Sequence, residues 1–149
     1  MKLAIDTNII ICVLDHGSAL HARAVRALDF AAARGDEVVL LPIVIHESWA
    51  VLTRPPSANG LGWPPIQAAA ALRAAMRRMP LVPDPADLTE QWLTAVAAAD
   101  VAGRRAHDWR LATAARLAKV DAVLTFNTGD FAEFPGLDVL EPAAEHHQR

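Results

Sequence analysis

Cysteine is nearly absent from the sequence, and so are long uninterrupted apolar runs. The single cysteine, Cys12, cannot form an intrachain disulfide, which fits a reducing cytoplasm and excludes a secreted fold that depends on disulfides. The apolar run at the N-terminus is interrupted by Asp6 and again by Asp15, so it is neither a signal peptide nor a membrane span. We therefore predict a cytoplasmic protein with no membrane contact.

Tyrosine is absent, and the chain carries no excess of positive charge. With four Trp, four Phe and no Tyr, we expect a core made mostly of Ala, Leu and Val. The formal net charge of −3 argues against a protein that binds nucleic acid through its overall charge, but it leaves room for a local basic face. At 149 residues and 53% hydrophobic content, the chain is long and apolar enough for one folded domain, which excludes a disordered protein.

Short apolar segments alternate along the chain with longer segments of helical periodicity. Strands are predicted at 3–5, 37–41, 81–82, 121–125 and 137–140. Helices are predicted at 9–14, 19–33, 42–53, 66–79, 87–102 and 106–119. This alternation is typical of an α/β protein, a parallel sheet with helices on both faces. We predict a single domain over 1–142 and a polar tail over 143–149.

Three local features refine this prediction. Thr7 and Asn8 are residues that often cap helices, and they precede the first helix. The sequence Asp87-Leu88-Thr89-Glu90 resembles a capping box. The segment 54–65 contains four prolines and two glycines, so we predict one long irregular loop there.

Two carboxylates are placed where an ordinary surface role does not explain them. Asp6 directly follows the first strand, at the edge where open α/β sheets bind their ligands. Glu47 lies within the 42–53 helix and is expected to face inward. Its expected neighbours on that face are Ile43, Val44, Ala50 and Val51. An inward glutamate needs a partner, and an arginine or a backbone group would serve as well as a functional site.

Two more acidic residues lie near the same predicted edge. Asp108 is in the first turn of its helix, where an anion is also favoured by the helix dipole alone. Asn127 and Asp130 follow the 121–125 strand, in a sequence that turn chemistry explains equally well. If the four carboxylates converge, two of them about 5 Å apart repel by about 3 kcal/mol at an effective dielectric near 20. A divalent cation would relieve this repulsion, and oxygen ligands favour Mg²⁺ or Mn²⁺ for phosphodiester hydrolysis.

Several short motifs and single residues, each present once, are spread in order along nearly the whole chain. They are Asp6-Thr7-Asn8, Glu47, His107-Asp108 and Thr125-x-Asn127-x-x-Asp130-Phe131. This set resembles the PIN-domain ribonucleases and is most similar to the VapC toxins of bacterial type II toxin–antitoxin pairs. The resemblance implies a three-layer sandwich, with a short parallel sheet of four to five strands flanked by helices.

The resemblance also implies a function and a set of roles. It implies an endoribonuclease dependent on Mg²⁺ or Mn²⁺, in which Asp6, Glu47 and Asp108 bind the metal. The fourth acidic position falls in the Asn127–Asp130 turn, where Asp130 is expected to supply the charge and Asn127 to support the site. Thr7 and Asn8 would support the metal ligands. The implied partners are an RNA substrate, a VapB-like antitoxin and a second copy of the chain in a homodimer.

A basic cluster beside Asp108 supports contact with RNA. Arg104, Arg105 and Arg110 flank this carboxylate and are candidates for neutralising phosphates, although a solvated helix face explains them equally well. Three alternatives stay open: a PIN nuclease in RNA processing, an inactive PIN-fold binding module, and ordinary caps and turns that share no cleft.

Overall fold

The structure is a computed structural model and describes residues 1–144. Within that range the strands are β1 (Lys2–Ile5), β2 (Glu37–Val39), β3 (Ala122–Leu124) and β4 (Asp138–Leu140). The α-helices of the same range are α1 (Thr7–Leu14), α2 (His21–Ala33), α3 (Pro42–Thr53), α4 (Pro65–Arg78), α5 (Leu88–Ala98) and α6 (Arg105–Leu117). Two short 3₁₀ helices span Pro56–Ala58 and Thr128–Phe131. The predicted α/β class is confirmed.

The described strands form one parallel sheet in the order β2-β1-β3-β4. Strand β1 is central, since Ala4 pairs with Val39 on one side and with Val123 on the other. The register also places Ile5 opposite Leu124. The residues that directly follow β1 and β3 therefore emerge side by side at the carboxyl edge of the sheet.

The structure corrects both predictions of helix caps, one in its position and the other in its hydrogen bond. Asp6, rather than Thr7 or Asn8, caps α1, because its extended backbone lets its carboxylate accept the N–H of Thr7. At α5, Asp87 occupies the N-cap position as predicted, but it makes no side-chain cap hydrogen bond. Its φ of −94° and ψ of 6° are far from the extended geometry that aims a capping side chain at the helix. Helix α5 ends at Ala98, four residues earlier than predicted, and Asp100 just beyond it adopts a left-handed conformation.

The segment predicted as a strand at 81–82 forms a single bridge. Leu81 pairs with Leu40, supported by hydrogen bonds from the Leu40 N–H to the Pro80 carbonyl and from the Val82 N–H to the Leu40 carbonyl. Pro83 follows and has no N–H to continue the ladder. The proline residues therefore limit this pairing to one residue.

The proline- and glycine-rich loop is more ordered than the sequence predicts. Besides its short 3₁₀ helix, its later N–H groups turn back onto carbonyls at the end of α3. The N–H of Leu61 donates to Val51 at 2.9 Å and that of Trp63 donates to Leu52 at 2.8 Å. The loop thus closes the C-terminal end of α3, and Glu47 lies in the middle of that helix.

The core is built largely from aliphatic side chains, as expected, with isoleucine at several fully buried positions. No helix of residues 1–144 has the length and apolar character needed to cross a bilayer. Most of the predicted polar tail, residues 145–149, lies outside the described residues. The predicted domain boundary at residue 142 stays a prediction.

Candidate active site at the carboxyl edge of the sheet

Asp6 is the buried centre of a hydrogen-bond network at the end of β1, with 8% of its surface exposed. Its Oδ1 accepts the backbone N–H of Thr7 at 2.7 Å. Its Oδ2 accepts the hydroxyl of Thr125 at 2.8 Å and the side-chain amide of Asn8 at 3.0 Å. Hydrogen bonds to a carboxylate favour its ionised form, so these donors oppose the cost of burying the charge.

Thr125 directly follows β3 and joins that strand to Asp6. Its hydroxyl oxygen accepts the Asn8 amide at 3.0 Å and the backbone N–H of Asn127 at 3.0 Å. With two N–H donors on this oxygen, the hydroxyl proton is directed to Asp6. Sequence reasoning missed this role. The available signal was a hydroxyl residue after β3 in the same relation to its strand as Asp6 has to β1.

Glu47 reaches the same network through Thr7. The hydroxyl of Thr7 donates to Glu47 Oε2 at 2.6 Å, so the described partner of this carboxylate is a neutral group rather than an arginine. The buried face of α3 differs from the predicted one. It consists of Ile43, Val44, Ser48 and Leu52, whereas Ala50 is exposed. Glu47 is half-buried beside that face and points toward the end of β1.

Four carboxylates from separate segments act on one another electrostatically. The pKa of Asp108 is raised to about 6, mainly by burial and further by the negative charges of Asp130, Asp6 and Glu47. Burial also raises the pKa of Asp6. Hydrogen bonds from Thr125 and Thr7 oppose that increase, and the charges of Glu47 and Asp130 add to it. The acidic side chains singled out from the sequence therefore share one electrostatic environment.

The turn after β3 presents Asp130 and Asn127 differently. Both are exposed, and Asp130 lies in the 3₁₀ helix Thr128–Phe131. The pKa values of Asp6 and Asp108 respond to the charge of Asp130. Asn127 takes part through its backbone, since its N–H binds Thr125 and its carbonyl accepts the N–H of Asp130. Asp130 is thus the residue of this turn that brings charge to the site.

The chemistry of these donors suits a hard divalent cation. Carboxylate oxygens are preferred ligands of Mg²⁺ and Mn²⁺. Burial is the main cause of the raised pKa of Asp6 and Asp108, and a cation would relieve the charge repulsion that adds to it. Within residues 1–144, however, no three Asp, Glu, His or Cys side chains are grouped closely enough to hold one ion. The donors fit in kind, and side-chain rotation would have to complete a ligand set.

The three arginines predicted to contact RNA have different surroundings. Arg105 forms an ion pair with Glu133 on the surface. Arg110 donates to Asp84 at 2.8 Å, and both side chains are about 30% exposed. Arg104 is exposed at the start of α6. Two of the three guanidinium groups are therefore already engaged with carboxylates.

A comparison with models of protein families gave a match over most of the chain. The family model described as PIN domain matches residues 3–137. A search of curated proteins found no match.

Solved structures with a similar fold come from several bacteria. VapBC2 from Rickettsia felis, bound to a DNA fragment from its promoter, has a TM-score of 0.70 and 16% identity, covering 95% of this chain and 98% of that one. A toxin–antitoxin complex from Klebsiella pneumoniae has a TM-score of 0.66 and 20% identity, covering 96% and 99%. VapC20 from Mycobacterium tuberculosis, a toxin that cleaves the sarcin–ricin loop, has a TM-score of 0.64 and 21% identity, covering 89% and 95%. At these identities the likeness shows a shared fold.

Proposed function

The chain belongs to the PIN-domain family, and on that premise we propose that it is a metal-dependent endoribonuclease acting as the toxin of a type II toxin–antitoxin pair. The observation that carries the proposal is that Thr7 joins Asp6 and Glu47 at the carboxyl edge of the sheet, where the charges of both, with that of Asp130, also act on Asp108. These four carboxylates come from four different segments of the chain, so no single helix cap or turn accounts for their proximity. A group of anions of this kind suits binding of a cation and cleavage of a phosphodiester.

Asp6, Glu47 and Asp108 would hold Mg²⁺ or Mn²⁺, with Asp130 acting directly or through water. When bound, the cation would activate a water molecule and stabilise charge on the phosphate. The chain's own contribution is orientation. Thr125 and Asn8 fix Oδ2 of Asp6, whereas Oδ1 accepts the Thr7 N–H. The Thr7 hydroxyl fixes Glu47.

The toxin assignment draws its support from the fold neighbours. They include a toxin–antitoxin complex and a toxin that cleaves the sarcin–ricin loop. By analogy, we propose that this chain acts on RNA, is neutralised by a small VapB-like antitoxin, forms a homodimer and works in the cytoplasm. A PIN nuclease of RNA processing would share the site but would have no antitoxin.

One observation favours a second candidate, an inactive PIN-fold binding module. Residues 1–144 contain no preassembled group of three metal-ligating side chains. Such a module would bind no divalent cation, and loss of the Asp6 charge would leave its biological effect unchanged. The nuclease and the module therefore make opposite predictions.

The test measures Mn²⁺ binding by calorimetry and cleavage of a structured RNA by wild type, Asp6→Asn and Asp87→Asn. Asp87 is exposed and makes no cap hydrogen bond, so its variant controls for the loss of one surface charge. We expect wild type and Asp87→Asn to bind Mn²⁺ and cut RNA, and EDTA or Asp6→Asn to stop cleavage. Activity that survives exhaustive chelation would exclude the mechanism.

A growth assay separates toxin from processing enzyme. We expect expression of the wild type alone to arrest growth, and Asp6→Asn to be harmless. A cognate antitoxin encoded beside the gene should reverse the arrest. RNA cleavage in vitro without growth arrest would favour the RNA-processing alternative.

A further inference from the structure

Arg23, on α2, connects two distant segments of the chain. Its guanidinium carbon lies 5.2 Å from the centre of the Phe126 ring. Its Nη2 donates to the Pro142 carbonyl at 2.6 Å and its Nε to the Ala143 carbonyl at 3.2 Å. Nη2 also lies 3.4 Å from Glu141 Oε1. Only 20% of the Arg23 side chain is exposed, so these partners hold its guanidinium group in place.

Phe126 is directly linked to the candidate active site. Its backbone N–H donates to Asn8 Oδ1 at 3.1 Å, and the amide nitrogen of Asn8 donates to Asp6 Oδ2 at 3.0 Å. The loop that begins at Phe126 continues through Asn127 to Asp130. A displacement of Phe126 would therefore disturb both the hydrogen bonds of Asp6 and the placement of Asp130.

We propose that Arg23 is a positioning residue, which holds the loop after β3 in place by tying the Phe126 ring to the segment after β4. A guanidinium group suits this role because its edge can bind carbonyls while its face covers an aromatic ring. The expected effect of Arg23 on RNA cleavage rests on the proposed nuclease function. Its expected effect on the order of the loop can be measured without metal or RNA.

The chain offers a matched control at the end of the same helix. Arg34 covers the Phe30 ring at 5.4 Å and pairs with Asp36 at 3.2 Å. Its variant Arg34→Gln removes an arginine–phenylalanine contact and an ion pair of similar kind. None of these described contacts reaches the loop after β3.

The first measurement is amide hydrogen exchange of the metal-free protein. The N–H groups of Phe126 and Asn127 are both hydrogen-bonded to site residues and report on the loop. We expect Arg23→Gln to accelerate their exchange about tenfold, with Arg23→Lys intermediate and Arg34→Gln unchanged. Unchanged exchange in Arg23→Gln, or equal acceleration in Arg34→Gln, would overturn the proposal. If Arg23→Gln does not fold, Phe126→Leu must give the same acceleration.

The second measurement is RNA cleavage as a function of Mn²⁺ concentration. We expect Arg23→Gln to raise the Mn²⁺ concentration for half-maximal cleavage by about threefold to tenfold, with an unchanged KM for RNA at saturating Mn²⁺. A higher KM with a normal Mn²⁺ response would instead identify Arg23 as an RNA contact and overturn the positioning role. If the wild type neither binds Mn²⁺ nor cleaves RNA, the proposed function fails, while hydrogen exchange still decides whether Arg23 holds the loop.

Discussion

The hydroxyl of Thr7 donates to the carboxylate of Glu47 at 2.6 Å and thereby joins the start of α1 to the middle of α3. The backbone N–H of the same threonine donates to Asp6. One residue thus orients two of the four carboxylates, through two different groups. This double contact explains why a small hydroxyl residue, rather than any helix former, follows Asp6.

Thr7→Val removes the hydroxyl and keeps the backbone N–H and the branched shape. We expect Mn²⁺ affinity or cleavage to fall about 10- to 100-fold, because groups that orient metal ligands typically contribute that much. Thr7→Ser should restore most of the loss. Thr53→Val serves as the control, since the Thr53 hydroxyl binds only a carbonyl of its own helix among the described contacts. Wild-type metal affinity in Thr7→Val would contradict the role.

Asp108 makes stability depend on pH. Its pKa is raised to about 6 in the folded protein, so the folded state binds the proton more tightly than the unfolded state does. The free energy of unfolding should therefore fall as the pH rises from about 4 to about 6. Above about pH 6, the destabilisation caused by the ionised Asp108 has its full value. Asp108 is partly exposed, so solvent screening reduces the cost to about 1 kcal/mol.

Asp108→Asn should remove this cost in metal-free protein. We expect the variant to be more stable than wild type by about 1 kcal/mol at pH 7, and equally stable near pH 4. Urea unfolding in the presence of EDTA at both pH values measures the difference. A stability change of the same size at both values would show that the charge of Asp108 is not its cause.

The sequence was sufficient for the architecture and for the acidic residues. Buried strands and amphipathic helices leave periodic patterns, and a carboxylate after a strand in a parallel sheet has few places to go. Asp6 and Glu47 could be singled out because their unusual positions are visible locally. Asp108 depended on the family resemblance, because the helix dipole alone explains an acidic residue in a first turn. The single Leu81 bridge was mispredicted because an apolar pair between prolines has a strand's composition without its hydrogen bonds.

Thr125 and Arg23, which connect separate segments of the chain, could not be predicted because their partners are remote in sequence. Thr125 and Asp6 are 119 residues apart, and Arg23 is 120 residues from the Ala143 carbonyl that it binds. No local pattern distinguishes these side chains from an ordinary strand-end threonine or a surface arginine. The family resemblance therefore identified Thr7 and Asn8 beside the acidic residues, but it assigned no role to Thr125 or Arg23.

Gly60 lets the loop after α3 close against the helix. A Cβ atom at this position would lie 2.0 Å from the Arg54 carbonyl oxygen, which is backbone and cannot move aside easily. We expect Gly60→Ala to lower the free energy of unfolding by roughly 1–3 kcal/mol, the usual cost of overpacking. Gly17→Ala is the control, because its nearest contact would be an ordinary 3.4 Å. Equal urea midpoints for the two variants would show that the loop adapts freely.

Arg110 and Asp84 form a half-buried pair in which each partner also has one buried polar atom without a hydrogen bond among the described residues. Removing either charge leaves the other poorly solvated, so Asp84→Asn and Arg110→Gln should each destabilise the fold by about 1–3 kcal/mol. The double variant should be less destabilised than the sum of the two single changes. Thermal or urea unfolding of the four proteins measures this coupling.

RNA binding by the same variants tests whether Arg110 is available to a phosphate. If the arginine is committed to Asp84, then Arg110→Gln and Asp84→Asn should alter stability without changing RNA affinity per folded molecule. Arg104→Gln should weaken RNA binding, since Arg104 is exposed at the start of α6, the helix that carries Asp108. The opposite pattern, with affinity lost in Arg110→Gln but not in Asp84→Asn, would mean that RNA displaces Asp84 from the arginine. The ion pair would then be a contact that the substrate must break, and binding would weaken more steeply with salt when Arg110 is present.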